Sequence, residues 1–223
     1  MPWPIYFLSY RPRVRKLERW PVRQGDVVFI GDSITCWAKW DSLFPNVCVR
    51  NFGIPGDTSA GVLARIEQVS RGQPAKVFLL VGTNDLHFKK TSDEQIVHNI
   101  TNIIDRLHAA SSATAIYLQS IMPRHLPRAE QIKSLNSRLA QVALSHGAQW
   151  IDLWPCLSNT KGGLRRELTR DSLHLRPAGN RAWADALRDY VESCGTDAAP
   201  RAISCGSSSG SDLAQILNLK RLR

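Results

Sequence analysis

The chain has 223 residues, room for one domain of ordinary size with extensions at its ends rather than two full domains. Hydrophobic residues make up 43% and charged residues 22%, ordinary globular usage that excludes a fibrous or wholly disordered chain. The net charge of +10 invites a nucleic-acid reading, but residues 1–25 hold six basic side chains (Arg11, Arg13, Arg15, Lys16, Arg19, Arg23) against Glu18, and residues 195–223 hold four against two, so the middle carries only +3.

Three regions follow. Residues 1–25 are a basic segment whose Tyr6–Leu8, Leu17 and Trp20 are expected to pack on the domain, although their periodicity is ambiguous. Residues 26–194 form the domain itself. Residues 195–211 are small and polar, a flexible linker, and 212–223 a short basic amphipathic tail with Leu213, Ile216 and Leu217 near one face. The basic ends allow weak contact with an anionic membrane surface but imply no obligate nucleic acid. Five cysteines at wide spacing, without a CxxC pair, suggest reduced thiols rather than a disulfide framework or zinc knuckle. With no signal-peptide pattern at the N-terminus and no long uncharged apolar run, a soluble cytoplasmic protein is expected.

Within the domain, residues 27–30 are the first short apolar, β-rich run. Residues 47–52 are a weaker strand candidate, and 58–71 follow with helical periodicity. Residues 77–81 are again strand-like, 92–110 helical with Ile96, Ile100, Ile103, Ile104 and Leu107 on one face, 115–118 strand-like and 128–146 helical. A weak strand at 150–153 and a helix from Pro177 to about 193 complete the pattern. Strand runs apolar on both faces, alternating with helices, imply parallel βαβ crossovers and a sheet covered on both faces. Ligands in such folds bind beyond the carboxyl ends of the strands.

Those ends carry chemistry-bearing residues. The first strand runs into Gly31-Asp32-Ser33, where Ser33 either presents its hydroxyl to the cleft or caps the next helix. The second ends in Asn51-Phe52-Gly53-Ile54-Pro55-Gly56-Asp57-Thr58, whose glycines let a backbone N–H approach a ligand, and where Asp57 or Thr58 would cap a helix. The third ends in Gly82-Thr83-Asn84-Asp85, an amide donor or an Asx turn. Before the last helix stands Asp171-Ser172-Leu173-His174, a carboxylate able to orient an imidazole.

These four blocks, in this order and spanning about residues 26–192, resemble the SGNH hydrolases, the GDSL-type esterase and lipase superfamily. The stretch Asn51 to Asp57 is most similar to the platelet-activating-factor acetylhydrolase branch and its bacterial relatives. The resemblance implies a three-layer α/β/α fold with a flavodoxin-like five-stranded parallel sheet. It implies Ser33 as nucleophile, His174 and Asp171 as its partners, and Ser33 N–H, Gly56 N–H and the Asn84 amide as the oxyanion hole. Ile34 departs from the usual leucine after the serine, an apolar exchange. No cofactor and no metal are implied, and no HExxH or similar ligand cluster is present in the sequence.

The expected activity is hydrolysis of a small-molecule ester through an acyl-enzyme, with a short acyl group, foremost acetyl on a carbohydrate or small alcohol. The alternatives are a thioesterase or lysophospholipase acting on longer chains, and a non-catalytic glycan- or nucleic-acid-binding module. Trp37 and Trp40, at i+4 and i+7 from Ser33, would share its helix face as a substrate platform or else pack in the core. Asp85, Leu86, His87 and Phe88 are expected at the cleft rim, with Asp85 and His87 as substrate contacts. Residues 157–169 are read as a cleft wall or mobile lid; Arg165 or Arg166 would meet an anionic substrate group only if this is not simply a solvated loop, the reading the sequence favours.

Overall fold

The computed structural model describes residues 3–89 and 91–193. In chain order the elements are α1 (Trp3–Glu18), β1 (Val27–Gly31), α2 (Ser33–Trp37), α3 (Trp40–Leu43), β2 (Val49–Gly53), α4 (Ser59–Arg65), α5 (Glu67–Ser70), β3 (Lys76–Leu80), α6 (Asp93–Ala110), β4 (Ala115–Gln119), α7 (Ala129–Ser145), β5 (Gln149–Ile151), α8 (Trp154–Leu157) and α9 (Pro177–Glu192). All five strands are parallel, in the order β2-β1-β3-β4-β5.

The sheet separates two apolar layers because alternate residues of each buried strand point to opposite faces. On one face Val28, Ile30, Val77, Leu79, Ile116 and Leu118 pack with Ile96, Ile100, Ile103 and Ile104 of α6 and with Ile132, Leu135 and Leu139 of α7. On the other, Phe29, Phe78 and Tyr117 stack in a row, with ring centroids 4.6 and 4.5 Å apart, beneath Trp40, Trp183 and Leu187. The result is the expected three-layer α/β/α sandwich. Its strand order reverses between β1 and β3, which puts the open crevice at the end of β1.

The helix expected over 58–71 is interrupted at Ile66, dividing it into α4 and α5. The N-terminal segment is helical. Leu17 is buried in the layer that holds α6, whereas Trp20, 60% exposed, lies beneath the guanidinium of Arg50 on β2, the edge strand of the sheet. The side chains of Tyr6–Leu8, together with the linker and amphipathic tail read from residues 195–223, lie outside the described residues. Among the described residues no helix is long and apolar enough to cross a membrane.

Candidate active site

Asp32, not Ser33, caps α2: its Oδ1 accepts the Ile34 N–H at 2.9 Å. This frees the Ser33 hydroxyl, whose Oγ lies 3.1 Å from His174 Nε2. Ser33 is the first residue of its helix, so its N–H has no acceptor within the helix. Asp32 is fully buried, and desolvation pushes its pKa up to about 7 against the pull of the Ile34 N–H.

Asp171 and His174 sit on a small loop closed by an antiparallel bridge between Thr169 and Leu175. Asp171 Oδ1 accepts the backbone N–H of His174 at 2.7 Å and of Leu173 at 3.1 Å, and the Thr169 hydroxyl donates to His174 O at 2.8 Å. The loop so held aims Asp171 Oδ2 at His174 Nδ1, 2.6 Å away. Partial burial acts to raise the Asp171 pKa, but the hydrogen bonds from the His174 ring and backbone outweigh it and hold the carboxyl below its usual range. With a proton on Nδ1 directed at Asp171, Nε2 is the acceptor for the Ser33 hydroxyl, an arrangement able to draw a proton from a nucleophile.

The end of β2 supplies the third part. Gly53 sits where a Cβ would come 2.3 Å from Cys36 N, so only glycine permits α2 to pack this closely. Its N–H is donated to Asn51 Oδ1 at 3.0 Å. Gly56 has φ +77°, a left-handed conformation that favours glycine at this turn. Asn84 donates through Nδ2 to Asp57 O at 2.8 Å, which leaves the second amide hydrogen of Asn84 for a ligand.

Asp57 forms a buried ion pair with Arg65, Nε to Oδ2 at 2.8 Å, while Thr58 takes the capping role by accepting the Gly61 N–H. Burial raises the Asp57 pKa despite the guanidinium beside it. Arg65 Nη2 also donates to Phe52 O at 2.9 Å and Gly31 O at 3.2 Å, tying together the ends of β2 and β1. From α1, Arg13 donates to Gly53 O and Asn51 O, and Tyr10 to Asp57 Oδ1.

Three expected substrate contacts are placed differently. Asp85 is only 1% exposed and accepts from Ser59 N and Ser59 Oγ, the latter at 2.6 Å, so it anchors the start of α4 rather than the cleft rim. Leu86 is buried too, which leaves His87 as the exposed member of that run; the Phe88 side chain lies outside the described residues. Trp40 is 3% exposed, because α2 stops at Trp37 and Ala38 is extended; its Nε1 donates to Thr35 O and its ring lies 3.8 Å from that of Phe29. Trp37 is 46% exposed, with its ring centroid 4.5 Å from that of His174. Arg165 is committed to Cys156 O, within a 157–169 segment closed by a Ser158–Leu164 bridge.

Arg65, Arg124 and the α1 contacts were missed from sequence. Arg124 follows β4 and is 6% exposed; its Nη1 donates to Thr83 Oγ1 at 3.1 Å, and its carbonyl accepts the Leu164 N–H, joining the Asn84 block to the 157–169 segment. The Met-Pro-Arg step after a predicted strand end was the available signal. Among the described residues no three His, Cys, Asp or Glu side chains converge as a metal site would require.

An open parallel sheet with a serine beyond its first strand and an Asp-x-x-His loop before its last helix defines the SGNH class of α/β/α hydrolases. The chain belongs to the GDSL-like Lipase/Acylhydrolase family, whose profile matches residues 29–182, and it is an ester hydrolase of that family. It is 28% identical over 180 residues to platelet-activating factor acetylhydrolase IB subunit alpha1 of Rattus norvegicus, with 76% of each chain covered. Among solved structures it is similar to a Streptococcus pneumonia chain described as a platelet activating factor, at 26% identity and TM-score 0.78, covering 84% of this chain and 95% of that one. It also shares its fold with an acetyl-xylooligosaccharide esterase from Geobacillus Stearmophilus, at 20% identity and TM-score 0.63 over 78% and 99% of the two chains.

Proposed function

We propose that Ser33, His174 and Asp171 are a catalytic triad that hydrolyses short-chain O-acyl esters, with acetyl on a carbohydrate or small alcohol as the natural substrate class. The observation that carries the reading is the unbroken contact chain from Ser33 Oγ to His174 Nε2 at 3.1 Å and from His174 Nδ1 to Asp171 Oδ2 at 2.6 Å.

In this reading His174 takes the Ser33 proton as Oγ attacks the ester carbonyl, then gives it to the leaving alcohol. Asp171 stays ionised, consistent with its lowered pKa, and stabilises the imidazolium. The Ser33 N–H, the Gly56 N–H and the free Asn84 amide hydrogen receive the oxyanion. Gly56 is favoured over Gly53 because the Gly53 N–H is already donated to Asn51. Water enters by the same route and releases the acid. Trp37, half exposed beside the His174 ring, offers an apolar floor for the acyl or sugar group.

The acetyl preference draws support from similarity: the acetylhydrolase relative and the acetyl-xylooligosaccharide esterase are acetyl-ester enzymes by name. The test is hydrolysis of p-nitrophenyl acetate, butyrate and octanoate by the wild type and Ser33→Ala. Acetate should be turned over fastest, and Ser33→Ala should lose essentially all of it. Faster octanoate cleavage would move the assignment to a long-chain thioesterase or lysophospholipase. Absence of Ser33-dependent hydrolysis of all three esters would point instead to a selective natural ester substrate or to a glycan- or nucleic-acid-binding module.

A further inference from the structure

The family match begins at residue 29, yet α1, which ends at Glu18, reaches the candidate site. Arg13 of α1 donates to two carbonyls at the end of β2, Nη2 to Asn51 O at 3.2 Å and Nε to Gly53 O at 3.3 Å. One turn earlier, Tyr10 Oη reaches Asp57 Oδ1 at 3.4 Å. These two contacts flank residues 54–56, so the turn that presents the Gly56 N–H is gripped at both its entry and its exit. Asp57 is the junction. Its carboxylate holds Arg65 on the inner side and Tyr10 on the outer, and its carbonyl holds the Asn84 amide. Burial and the Asp57 charge push the Tyr10 phenol up to about 12, so it remains a donor to the carboxylate. Leu17, buried in the core two turns from Tyr10, fixes the helix in place.

We propose that α1 is a clamp on the oxyanion-donor turn, with Arg13 and Tyr10 as positioning residues that keep the Gly56 N–H and the Asn84 amide aligned on the carbonyl oxygen of the ester that Ser33 attacks. The inference rests on the esterase reading above and extends it to a segment outside the matched family region. Donors must stand about 2.7–3.1 Å from the oxyanion to be effective, and a displacement near 1 Å costs about a hundredfold in rate. Arg13 makes two hydrogen bonds to the turn's entry, at 3.2 and 3.3 Å, against the single 3.4 Å bond of Tyr10, and should matter more than Tyr10.

The test uses the full chain with Arg13→Ala, Arg13→Lys, Tyr10→Phe and, as a control, Arg15→Ala, an exposed arginine of the same helix that removes the same charge. On p-nitrophenyl acetate, Arg13→Ala should lower kcat about tenfold with KM within about twofold, because the donors serve the transition state. Arg13→Lys should recover part of the loss, Tyr10→Phe should cost about threefold, and Arg15→Ala should match the wild type. Hydrogen exchange in the same proteins should show faster exchange at residues 54–58 in Arg13→Ala, with β1 and β3 unchanged.

Unchanged kcat in Arg13→Ala, an equal loss in Arg15→Ala, or a rise in KM alone would overturn the clamp. Should Arg13→Ala fail to fold, Arg13→Lys and Tyr10→Phe decide on the same readouts. Should the wild type show no Ser33-dependent hydrolysis, the esterase reading fails and hydrogen exchange alone judges the clamp: residues 54–58 loosened only by the Arg13 and Tyr10 substitutions support it, and unaltered exchange rejects it.

Discussion

The side-chain amide of Asn84 donates to the backbone carbonyl of Asp57 at 2.8 Å, joining the strand-end blocks of β3 and β2. That bond fixes both the rotation of the amide and its distance from the Gly56 turn, so the remaining N–H points in one direction before any substrate arrives. Preorganisation of this kind is where oxyanion stabilisation acquires its strength. Asn84→Ala should therefore lower kcat by about 10²–10³ with little change in KM. Steady-state kinetics on p-nitrophenyl acetate check it, and a loss confined to KM would contradict the assignment.

Trp37 packs against the His174 ring, with centroids 4.5 Å apart and the two planes tilted by 46°. Since the indole is half exposed, truncating it should leave unfolding stability within about 0.5 kcal/mol of wild type. An aromatic contact with a bound acyl or sugar group is worth about 0.5–1.5 kcal/mol, so Trp37→Ala should lower kcat/KM roughly two- to tenfold and Trp37→Phe should recover most of it. Thermal melts alongside kinetics separate the two effects.

Arg65 and Asp57 are both buried, and Arg65 also satisfies Gly31 O and Phe52 O. Removing one member of a buried pair typically costs about 3–5 kcal/mol, and Arg65→Met should do so at pH 7 in urea denaturation. Burial raises the Asp57 pKa, so the stranded carboxyl takes up a proton more easily than an ordinary aspartate, and the loss should shrink toward pH 5. Adding Asp57→Asn should restore part of the stability at pH 7.

Asp32 titrates near pH 7 in the folded protein, pushed up from the ordinary range by burial. Between about pH 4 and 7 the folded chain retains a proton that the unfolded chain has released, so this group's contribution to stability falls as pH rises through that window. Asp171 has the opposite sign: its lowered pKa stabilises the fold above the ordinary carboxylate range and is lost on acidification. Asp32→Asn keeps an acceptor for the Ile34 N–H but cannot ionise. Its melting temperature relative to wild type should rise from pH 4.5 to pH 8, a trend that differential scanning calorimetry would register. A flat difference would place the titration elsewhere.

The sequence by itself determined the sheet and the order of the blocks along it. Apolar runs such as 27–30 and 77–81 can be buried only as parallel strands between helices, and the helical periods of 92–110 and 128–146 supply the covering faces. Ser33, Gly56, Asn84, Asp171 and His174 each stand at a strand end or just before a helix, but local spacing left a cap or a turn equally open at these positions, and their proposed roles came from the resemblance of the four blocks to the SGNH hydrolases. Tertiary structure decided what local spacing leaves open. Whether Ser33 caps α2 or faces the cleft depended on Asp32 accepting the Ile34 N–H. Trp40 joined the core because α2 breaks at Ala38, and Asp85 turned inward because Ser59, 26 residues away in the chain, supplies its donors. Arg65, Arg124 and the α1 contacts act through carbonyls and carboxylates brought together from distant segments, an arrangement with no sequence period to reveal it. Periodicity reports which way a residue faces along its own element; only the packed chain determines what it meets there.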